Sequence, residues 1–421
     1  MGDRVLIVGM GAREHAVVWK LRQSPLVDEI FVAPGNAGTG ALATNLAIQP
    51  KDIDALVKAA KELRIDFYLA SMDDPQPLAL VDRLTEAGIL CYGPTQASAR
   101  IESSKAFSKQ FMLEHGIRTA GSRTFQDYHE ACRYVDSMPE RALWVKASGL
   151  AAGKGAIGCN GRAEALNALD ILMVRRDMGS AGDEVVIEES LHGWETSAQA
   201  FCDGARAVLM PFASDHKRAH DGDTGLNTGG MGAYTPTELV SDSMVQDVQR
   251  EVVDRVLVGM ADAGTPFCGT LFPGLMVTPA GTYVLEFNAR FGDPEAQVVL
   301  PRLESDLFAV CKAAAHGRLD TVDVAWSPDA MVGVVMASGG YPATYKLGYR
   351  IEGLEDIDSD VQVFQAGTKS DARGIVTNGG RVLTVVGRGP TLAVARARAY
   401  DNVKRIRFVD AFYRHDIGGR V

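Results

Sequence analysis

The chain has 421 residues, of which 46% are hydrophobic and 23% are charged. This composition excludes a collagen-like or intrinsically disordered chain, and the length predicts roughly two to four globular domains. Against 53 aspartates and glutamates stand 43 lysines and arginines, and the resulting net charge of −10 argues against a nucleic-acid-binding surface.

The location of the protein is indicated by its cysteines and its hydropathy. No apolar run reaches about 18 residues, so the sequence predicts no membrane span. The six cysteines form no Cys-x-x-Cys pair, which is typical of a protein in a reducing compartment. We therefore expect a cytoplasmic protein.

The first hundred residues predict an alternation of strands and helices. Strands are predicted at 5–8, 30–33, 66–70 and 89–92, and helices at 12–22, 53–63 and 77–87. Such an alternation predicts an open parallel sheet with right-handed crossovers.

A second region, beginning near residue 104, predicts mixed structure. Strands are predicted at 143–147, 185–189, 270–278 and 283–288, a hairpin at 196–203 and 206–212, and helices at 104–115, 163–174, 243–263, 294–300 and 305–316. Residues 214–235 read as a long polar loop without an element of its own, and loops of that length are usually functional or disordered.

A third region follows residue 327. Strands are predicted at 330–337, 361–365, 373–377 and 381–387, with a helix at 392–403. This order predicts a smaller α+β domain.

The turn after the first strand is a candidate anion site. Gly11 and Arg13 lie where the first helix begins, and a helix N-terminus with an adjacent arginine suits a phosphate. Glu14 stands where a dinucleotide fingerprint has its third glycine, and no acid ends the second strand, so NAD and FAD are disfavoured. Asn36 and Asp73 follow the second and third strands, so we expect them at the same edge of the sheet. An ordinary strand–helix turn is the alternative.

A lysine inside a strand and a glycine-rich loop point to a nucleotide. Lys146 lies within the predicted strand 143–147, where a cation is costly unless an anion pairs with it. The loop 149–155 lacks the Ser or Thr of a P-loop, because Gly155 holds that position, but it could cover phosphates as a flap. Glu195, after the strand 185–189, could hold a nucleotide ribose, with a plain surface acid as the alternative.

Two polar residues in the strand 283–288 suggest a metal site. Strand alternation places Glu286 and Asn288 on one face, roughly 7 Å apart, with Tyr283, Leu285 and Phe287 directed into the core. Two oxygen ligands suit Mg²⁺ that arrives on nucleotide phosphates. If the strand continues, its face also carries the next cation along the chain, Arg290. The polar face of an edge strand is the alternative.

Several sequence runs together resemble one family. They are 11–15, 33–39, 104–107, 145–155, 215–218, 227–234, 286–288 and 290–295, followed by 339–342, 366–368 and 377–383. In this order they resemble the ATP-grasp ligases, and among them the phosphoribosylamine–glycine ligases (glycinamide ribonucleotide synthetases). The resemblance implies an ATP-grasp fold of class α/β and α+β. It divides the chain into a substrate-binding open parallel α/β domain (1–103), an ATP-grasp domain (104–327) with a mobile lid at about 120–190, and a smaller C-terminal α+β domain (328–421).

The resemblance also implies a reaction in which ATP phosphorylates glycine and the amine of phosphoribosylamine attacks the glycyl phosphate. The ATP-binding residues that it implies are Lys105, Lys146, Gly149, Ala152, Gly153, Gly155, Glu188, Leu191 and Glu195. The substrate-binding residues are Gly11, Arg13, Glu14, Asn36, Asp73, Asp215, Lys217, Asn227, Gly229 and Gly230. Arg290, Lys146 and Asp293 would be catalytic, and Glu286 and Asn288 would bind Mg²⁺, or Mn²⁺ in its place. The partners would be these small molecules, without nucleic acid or membrane, in a monomer or weak homodimer.

The sequence departs from the family pattern near the acceptor pocket. Ser71-Met72-Asp73 stands where Gly-Pro-Glu is usual, and Leu226 stands where proline is usual. A ligase of the same fold with another carboxylate or amine substrate is therefore the alternative function. A catalytically inactive ATP-binding relative and a dinucleotide oxidoreductase are weaker alternatives.

Overall fold

The computed structural model describes residues 2–151, 154–237 and 239–419. The strands are β1 (Asp3–Gly9), β2 (Val27–Pro34), β3 (Thr44–Asn45), β4 (Phe67–Leu69), β5 (Leu90–Tyr92), β6 (Ser122–Phe125), β7 (Leu143–Ala147), β8 (Ala156–Cys159), β9 (Val185–Glu189), β10 (Trp194–Ser197), β11 (Ala200–Asp203), β12 (Ala207–Leu209), β13 (Ser214–Asp215), β14 (Arg218–His220), β15 (Thr224–Asn227), β16 (Gly232–Thr235), β17 (Cys268–Thr278), β18 (Gly281–Asn288), β19 (Ala330–Ala337), β20 (Gln362–Gln365), β21 (Thr368–Asp371), β22 (Gly374–Thr377) and β23 (Arg381–Gly389).

The α-helices are α1 (Ala12–Leu21), α2 (Ile53–Glu62), α3 (Leu80–Glu86), α4 (Arg100–Ser103), α5 (Lys105–Glu114), α6 (Tyr128–Ser137), α7 (Arg162–Leu169), α8 (Asp242–Val248), α9 (Asp254–Asp262), α10 (Glu295–Val299), α11 (Leu307–Ala315) and α12 (Leu392–Val403). Single π-helical turns at Asp170–Val174 and Gln249–Val253 extend α7 and join α8 to α9. Among the described residues, none of the helices has both the length and the apolar character needed to cross a membrane.

The N-terminal domain is the predicted parallel sheet, in the order β3-β2-β1-β4-β5. Its central strand is buried on both faces, with Val5 and Ile7 in one core and Leu6 and Val8 in another, as expected when helices cover both sides of a sheet. The order reverses at β1, so the carboxyl ends of β1 and β4 border the crevice where open α/β sheets bind ligands.

A four-stranded antiparallel sheet, in the order β6-β9-β7-β8, forms the segment predicted as a lid. The helices α6 and α7 pack against it through Ala131, Val135, Ala165 and Leu169. The strands β7 and β9 have the predicted bounds, whereas β6, α6 and β8 were not predicted.

The central sheet is built on the long strand β17, which pairs with β10, β11 and β18. The predicted hairpin around Gly204 is formed by β11 and β12, and Gly204 has the positive φ of +96° that the turn requires. The predicted first strand of this hairpin, 196–203, is not continuous. Its first residues belong to β10, which pairs with β17 and not with β12.

The C-terminal sheet has the order β13-β16-β19-β23-β20, with α12 packed on β19 and β23. Two of its strands come from residues 214–235, so the prediction of a loop without elements was wrong there. The buried strand β16 pairs with β19 from Gly232↔Val334 to Thr235↔Met331, and β14 and β15 form a hairpin between β13 and β16. The strand β16 exists because the distant strand β19 pairs with it, which no local sequence pattern shows.

Candidate active site

Residues from all three regions of the chain meet in one cleft at the carboxyl ends of β1, β4 and β18. Glu286 lies in this cleft, and the charges of Lys105, Lys146, Lys217 and Arg290 act on its carboxylate. The protein around the cleft desolvates the Glu286 carboxylate and opposes its ionisation, but these four cations outweigh that effect and lower its pKa. The cleft therefore brings four cations near one exposed carboxylate. Lys146, Lys217 and Arg290 are each also held by another carboxylate, from Glu188, Glu195 and Glu102 respectively.

A buried ion cluster fixes Lys146 at the floor of the cleft. Glu188 on β9 pairs with Lys146 on β7, and its second oxygen lies 2.6 Å from Nζ of Lys109 on α5. All three residues are at most 8% exposed. Burial alone would raise the pKa of Glu188, but the two lysines lower it. Sequence reasoning missed Lys109, although its position one helical turn after Lys105 places both lysines on one face of α5.

The side chain of Glu188 is thus paired with Lys109 and Lys146, so a contact between this residue and ATP would be made by its backbone. The neighbouring Leu191 lies just beyond β9 and is half-buried. Glu195 on β10 pairs with Lys217, whose Nζ lies 2.6 Å from the glutamate oxygen. These three predicted ATP residues border the cleft from the side of β9 and β10.

The glycine-rich loop after β7 begins against the N-terminus of α5. The amide of Lys105 donates to the carbonyl of Ser148 (2.8 Å), and the amide of Gly149 donates to Ala181 (3.2 Å). Gly149 leaves room for that approach, because a Cβ there would lie 2.8 Å from Cα of Ala181. At the far end, Gly155 accepts from Ala147 (2.7 Å) and closes the loop. The predicted ATP residues Ala152 and Gly153 lie outside the described residues.

The predicted metal pair sits on β18 beside a β-bulge. The register shifts between Gly274 and Leu275, because Glu286 pairs with Gly274 and Val284 with Leu275, which leaves Leu285 without an opposite residue. Val284 and Phe287 are therefore the buried apolar residues of this strand, and the expectation that Tyr283 and Leu285 point into the core was wrong. The extra residue switches the alternation and turns Glu286 to the cleft.

The donor set of β18 fits a metal carried by a nucleotide. Glu286 is exposed to the cleft, and Oδ1 of Asn288 accepts from Nη2 of Arg290 at 2.9 Å while keeping its second lone pair. Within the described ranges there is no cluster of three or more His, Cys, Asp or Glu side chains that could hold a metal ion. The two oxygen donors would thus need phosphate oxygens and water to complete the shell of Mg²⁺.

Arg290 is held by a glutamate that sequence reasoning missed. Glu102 on α4 accepts from the amide of Ala289 (2.7 Å) and from Nε of Arg290 (3.1 Å). Burial dominates the environment of Glu102 and raises its pKa to about 7. Asp73 lies 3.9 Å from the same Nε, and Arg290 and Arg13 overcome its burial and lower its pKa. The two carboxyl groups orient the guanidinium between the acceptor crevice and the metal pair.

In the N-terminal crevice, the predicted substrate residues bind one another. Nε of Arg13 donates to Glu14 (2.6 Å), and the other oxygen of Glu14 accepts from the amide of Gly11 (2.7 Å). The side-chain Nδ2 of Asn36 donates to the carbonyls of Met10 (2.9 Å) and Gln365 (2.7 Å), which ties the crevice to the C-terminal sheet. Glu14 and Asn36 thus shape the crevice, and Arg13 and Asp73 supply its charge.

The segment 215–230 forms the opposite wall. The amides of residues 228–231 all donate within the protein, to the carbonyls of Lys217 and His216, the hydroxyl of Tyr341 and the hydroxyl of Thr228. These four amides are therefore already used within the protein. Asn227 lies exposed at the end of β15. Burial raises the pKa of Asp215 despite the nearby Lys217.

At the end of this wall, Asp293 pairs with Arg381 of β23 (2.7 Å) and accepts from Gln297 (2.7 Å). Sequence reasoning missed Arg381 as a site residue, although it lies within the run 377–383 that carried the family resemblance.

Comparison with known proteins shows the family to which this chain belongs. Three models of phosphoribosylglycinamide synthetase match the chain: the N domain at residues 3–102, the ATP-grasp (A) domain at 103–296 and the C domain at 331–420. The chain belongs to the phosphoribosylamine–glycine ligase family. The predicted family, ATP-grasp fold and class of ATP-dependent ligase are thereby confirmed.

Individual relatives agree with this membership. The chain is 45% identical to a phosphoribosylamine–glycine ligase of Rhodopirellula baltica, over 99% of this chain and 97% of that one. The crystal structure of a phosphoribosylamine–glycine ligase from Thermotoga maritima superposes with a TM-score of 0.86 at 32% identity, covering 98% and 99% of the two chains. A biotin carboxylase domain from Hydrogenobacter thermophilus, solved with MgADP, shares the fold with a TM-score of 0.76 at 14% identity, covering 98% and 92%.

Proposed function

We propose that this protein ligates glycine to 5-phosphoribosylamine with ATP, in the biosynthesis of purines. The γ-phosphoryl group passes to the carboxylate of glycine, and ADP leaves. The amine of phosphoribosylamine then attacks the glycyl carbonyl carbon, the bond to the phosphate breaks, and glycinamide ribonucleotide and phosphate are the products.

One observation carries the proposal: the convergence of Lys105, Lys146, Lys217 and Arg290 on Glu286. Cations that neighbouring carboxylates hold in place provide preorganised donors for a polyanion and for the negative charge of a phosphoryl transfer. The ion cluster of Glu188 preorganises Lys146, so that little reorganisation is needed during the reaction.

The remaining assignments divide the cleft among the substrates. Lys105, Lys146 and the loop 149–155 would hold ATP phosphates, and residues 188–195 would border adenine and ribose. Glu286 and Asn288 would hold Mg²⁺ or Mn²⁺, which neutralises phosphate charge when bound. Arg13 and Asp73 would receive the phosphorylated ribose, and the segment from Asp215 to Gly230 would receive glycine.

Arg290 is proposed as the catalytic cation, because it lies between these pockets. It contacts Asn288 of the metal pair and lies near Asp73 of the ribose crevice. A guanidinium fixed there by Glu102 could stabilise the charge that develops on the acyl phosphate. Asp293, three residues after Arg290, would position the amine of phosphoribosylamine.

The organisation of the protein belongs to the same proposal. We assign residues 1–103 to substrate binding, 104–327 to ATP-grasp with a lid at about 120–190, and 328–421 to the C-terminal domain. We propose a cytoplasmic monomer or weak homodimer without nucleic-acid or membrane partners, and all six cysteines are free, in keeping with a reducing compartment.

The test is release of ADP in the presence of ATP, Mg²⁺, glycine and freshly prepared phosphoribosylamine. ADP release that requires both acceptors, together with formation of the amide product, would support the proposal. Parallel reactions replace glycine by alanine, serine or β-alanine, and phosphoribosylamine by ribose 5-phosphate with ammonia. Turnover confined to one of these other pairs would contradict the glycine assignment and identify a ligase with a changed acceptor.

A further inference from the structure

Arg381, on the C-terminal strand β23, makes an unusual number of contacts in the cleft. Its Nη2 lies 2.7 Å from Oδ2 of Asp293, and its Nη1 donates to the carbonyl of Gly229 and, at 3.4 Å, to the carbonyls of Gly230 and Asp293. The side chain is 22% exposed, so these contacts are only partly open to water. One guanidinium thus joins two segments that are 63 residues or more apart in sequence, since 293 − 230 = 63.

The two glycines make room for this cation. A Cβ on Gly229 would lie 3.0 Å from Cζ of Arg381, and a Cβ on Gly230 would lie 2.4 Å from Cδ of Pro294. Gly230 also has a φ of +108°, which other residues rarely adopt. The glycines therefore allow a close approach between the loop, the turn after Arg290 and the guanidinium.

The contacts also fix which way the loop faces. The amide of Gly229 donates to the hydroxyl of Tyr341 (3.0 Å), so two residues of the C-terminal domain hold the two peptide groups on either side of Gly229. Lys217 lies on the same wall, and its charge interacts with that of Glu286. The amide of Thr228 donates to the carbonyl of Lys217 (2.8 Å), so the loop held by Arg381 belongs to the wall that carries this lysine.

We propose that Arg381 is a positioning residue that sets the pocket for the amino-acid substrate. This inference rests on the proposed function and assigns the C-terminal domain a part in the chemistry of the cleft. Arg381 would keep the loop at Gly229–Gly230 in register with Asp293, so that the carboxylate of glycine and the attacking amine meet at one point.

The substitutions R381Q and R381K test this role against the matched control R388Q. Arg388 lies on the same strand, pairs with Asp329 at 2.6 Å and is 48% exposed, away from the cleft. We expect R381Q to raise the KM for glycine about tenfold or more and to change the KM for ATP by less than about twofold. R381K should have a KM for glycine between those of the wild type and R381Q, because an ammonium keeps the charge but cannot span the carbonyls and the carboxylate.

Hydrogen–deuterium exchange supplies a readout besides activity. Amides 228–231 should exchange faster in R381Q than in the wild type and in R388Q, with unchanged exchange in β19. An active wild type in which R381Q matches R388Q in the KM for glycine would overturn the inference alone. A lower kcat with both KM values unchanged would overturn it as well, because a smaller fraction of correctly folded enzyme produces the same result. A wild type without glycine-dependent release of ADP would instead overturn the proposed function.

Discussion

His15 should make the stability of this protein depend on pH through the docking of two domains. The imidazole lies on α1, is 7% exposed, and its Nδ1 accepts from the amide of Gln365 on β20 at 2.9 Å. Its ring packs edge-on against Phe364, and Gly38 makes room for it, since a Cβ there would lie 2.3 Å from Cε1. An acceptor nitrogen must be unprotonated, and burial lowers the pKa of His15 from 6.5 to about 4.

The lowered pKa sets the sign and the size of the effect. The unfolded chain binds this proton more readily than the folded protein, so the stabilisation is complete above pH 6.5 and is lost as the pH falls towards 4. The full loss is about 3 kcal/mol, since each pKa unit corresponds to about 1.4 kcal/mol. Between about pH 7.5 and about pH 5 the same relation gives a loss of about 2 kcal/mol.

The substitution H15N isolates this contribution. Asparagine offers Oδ1 near the position of Nδ1 and does not titrate, so the contact with Gln365 remains without the proton. Burial raises the pKa values of Glu102 and Glu295 to about 7, so their contribution to stability changes with pH in the opposite direction. This contribution is the same in the wild type and in H15N, and it cancels when the two proteins are compared. Urea unfolding at the two pH values should show that the wild type loses about 2 kcal/mol more than H15N. Equal losses in the two proteins would refute the assignment.

Three further outcomes are expected. Glu286→Gln should reduce ADP release by about 100-fold or more and weaken the dependence on Mg²⁺, and a rate within about twofold of the wild type would remove the metal assignment. Asp73→Ala should raise the KM for phosphoribosylamine far more than that for ATP, whereas equal increases would contradict its place in the ribose crevice. Glu188→Gln should lower the free energy of unfolding by about 3 kcal/mol, because it leaves two buried lysines without a counter-charge. The matched Glu189→Gln, on the exposed side of the same strand, should change it by less than about 0.5 kcal/mol.

Elements with a strong local pattern were predictable from the sequence. The strand Val185–Glu189 and the helix Leu392–Val403 have the predicted bounds, and Ser104 caps α5 by accepting from the amide of Phe107 at 3.2 Å. In each case the signal is a buried apolar run, a helical period or a capping residue, all of which act within a few residues.

The elements that were missed depend on distant partners. The strand β16 is stabilised by pairing with β19, about a hundred residues later, and its own sequence is short and polar at both ends. The bulge at Leu285 likewise follows from the register between β17 and β18, which alternation within one strand cannot reveal.

The candidate site shows the same division. Residues on glycine-rich or charged runs, such as Lys146 and Glu286, were found because their residue types are unusual for a strand. Glu102 and Arg381 were missed because their significance lies in the groups they hold, Arg290 and Asp293, which are remote in sequence. Charged residues that orient other charged residues are visible only once the chain is folded.

The way in which β13 and β16 enter the C-terminal sheet has a consequence for dividing the gene. A fragment that stops at residue 327 would keep both strands but lose β19, and the free edge of β16 would offer its amides and carbonyls to other chains. The complementary fragment would begin with β19 and lack one side of its sheet. Separately expressed halves should therefore recover their native form only by combining with each other.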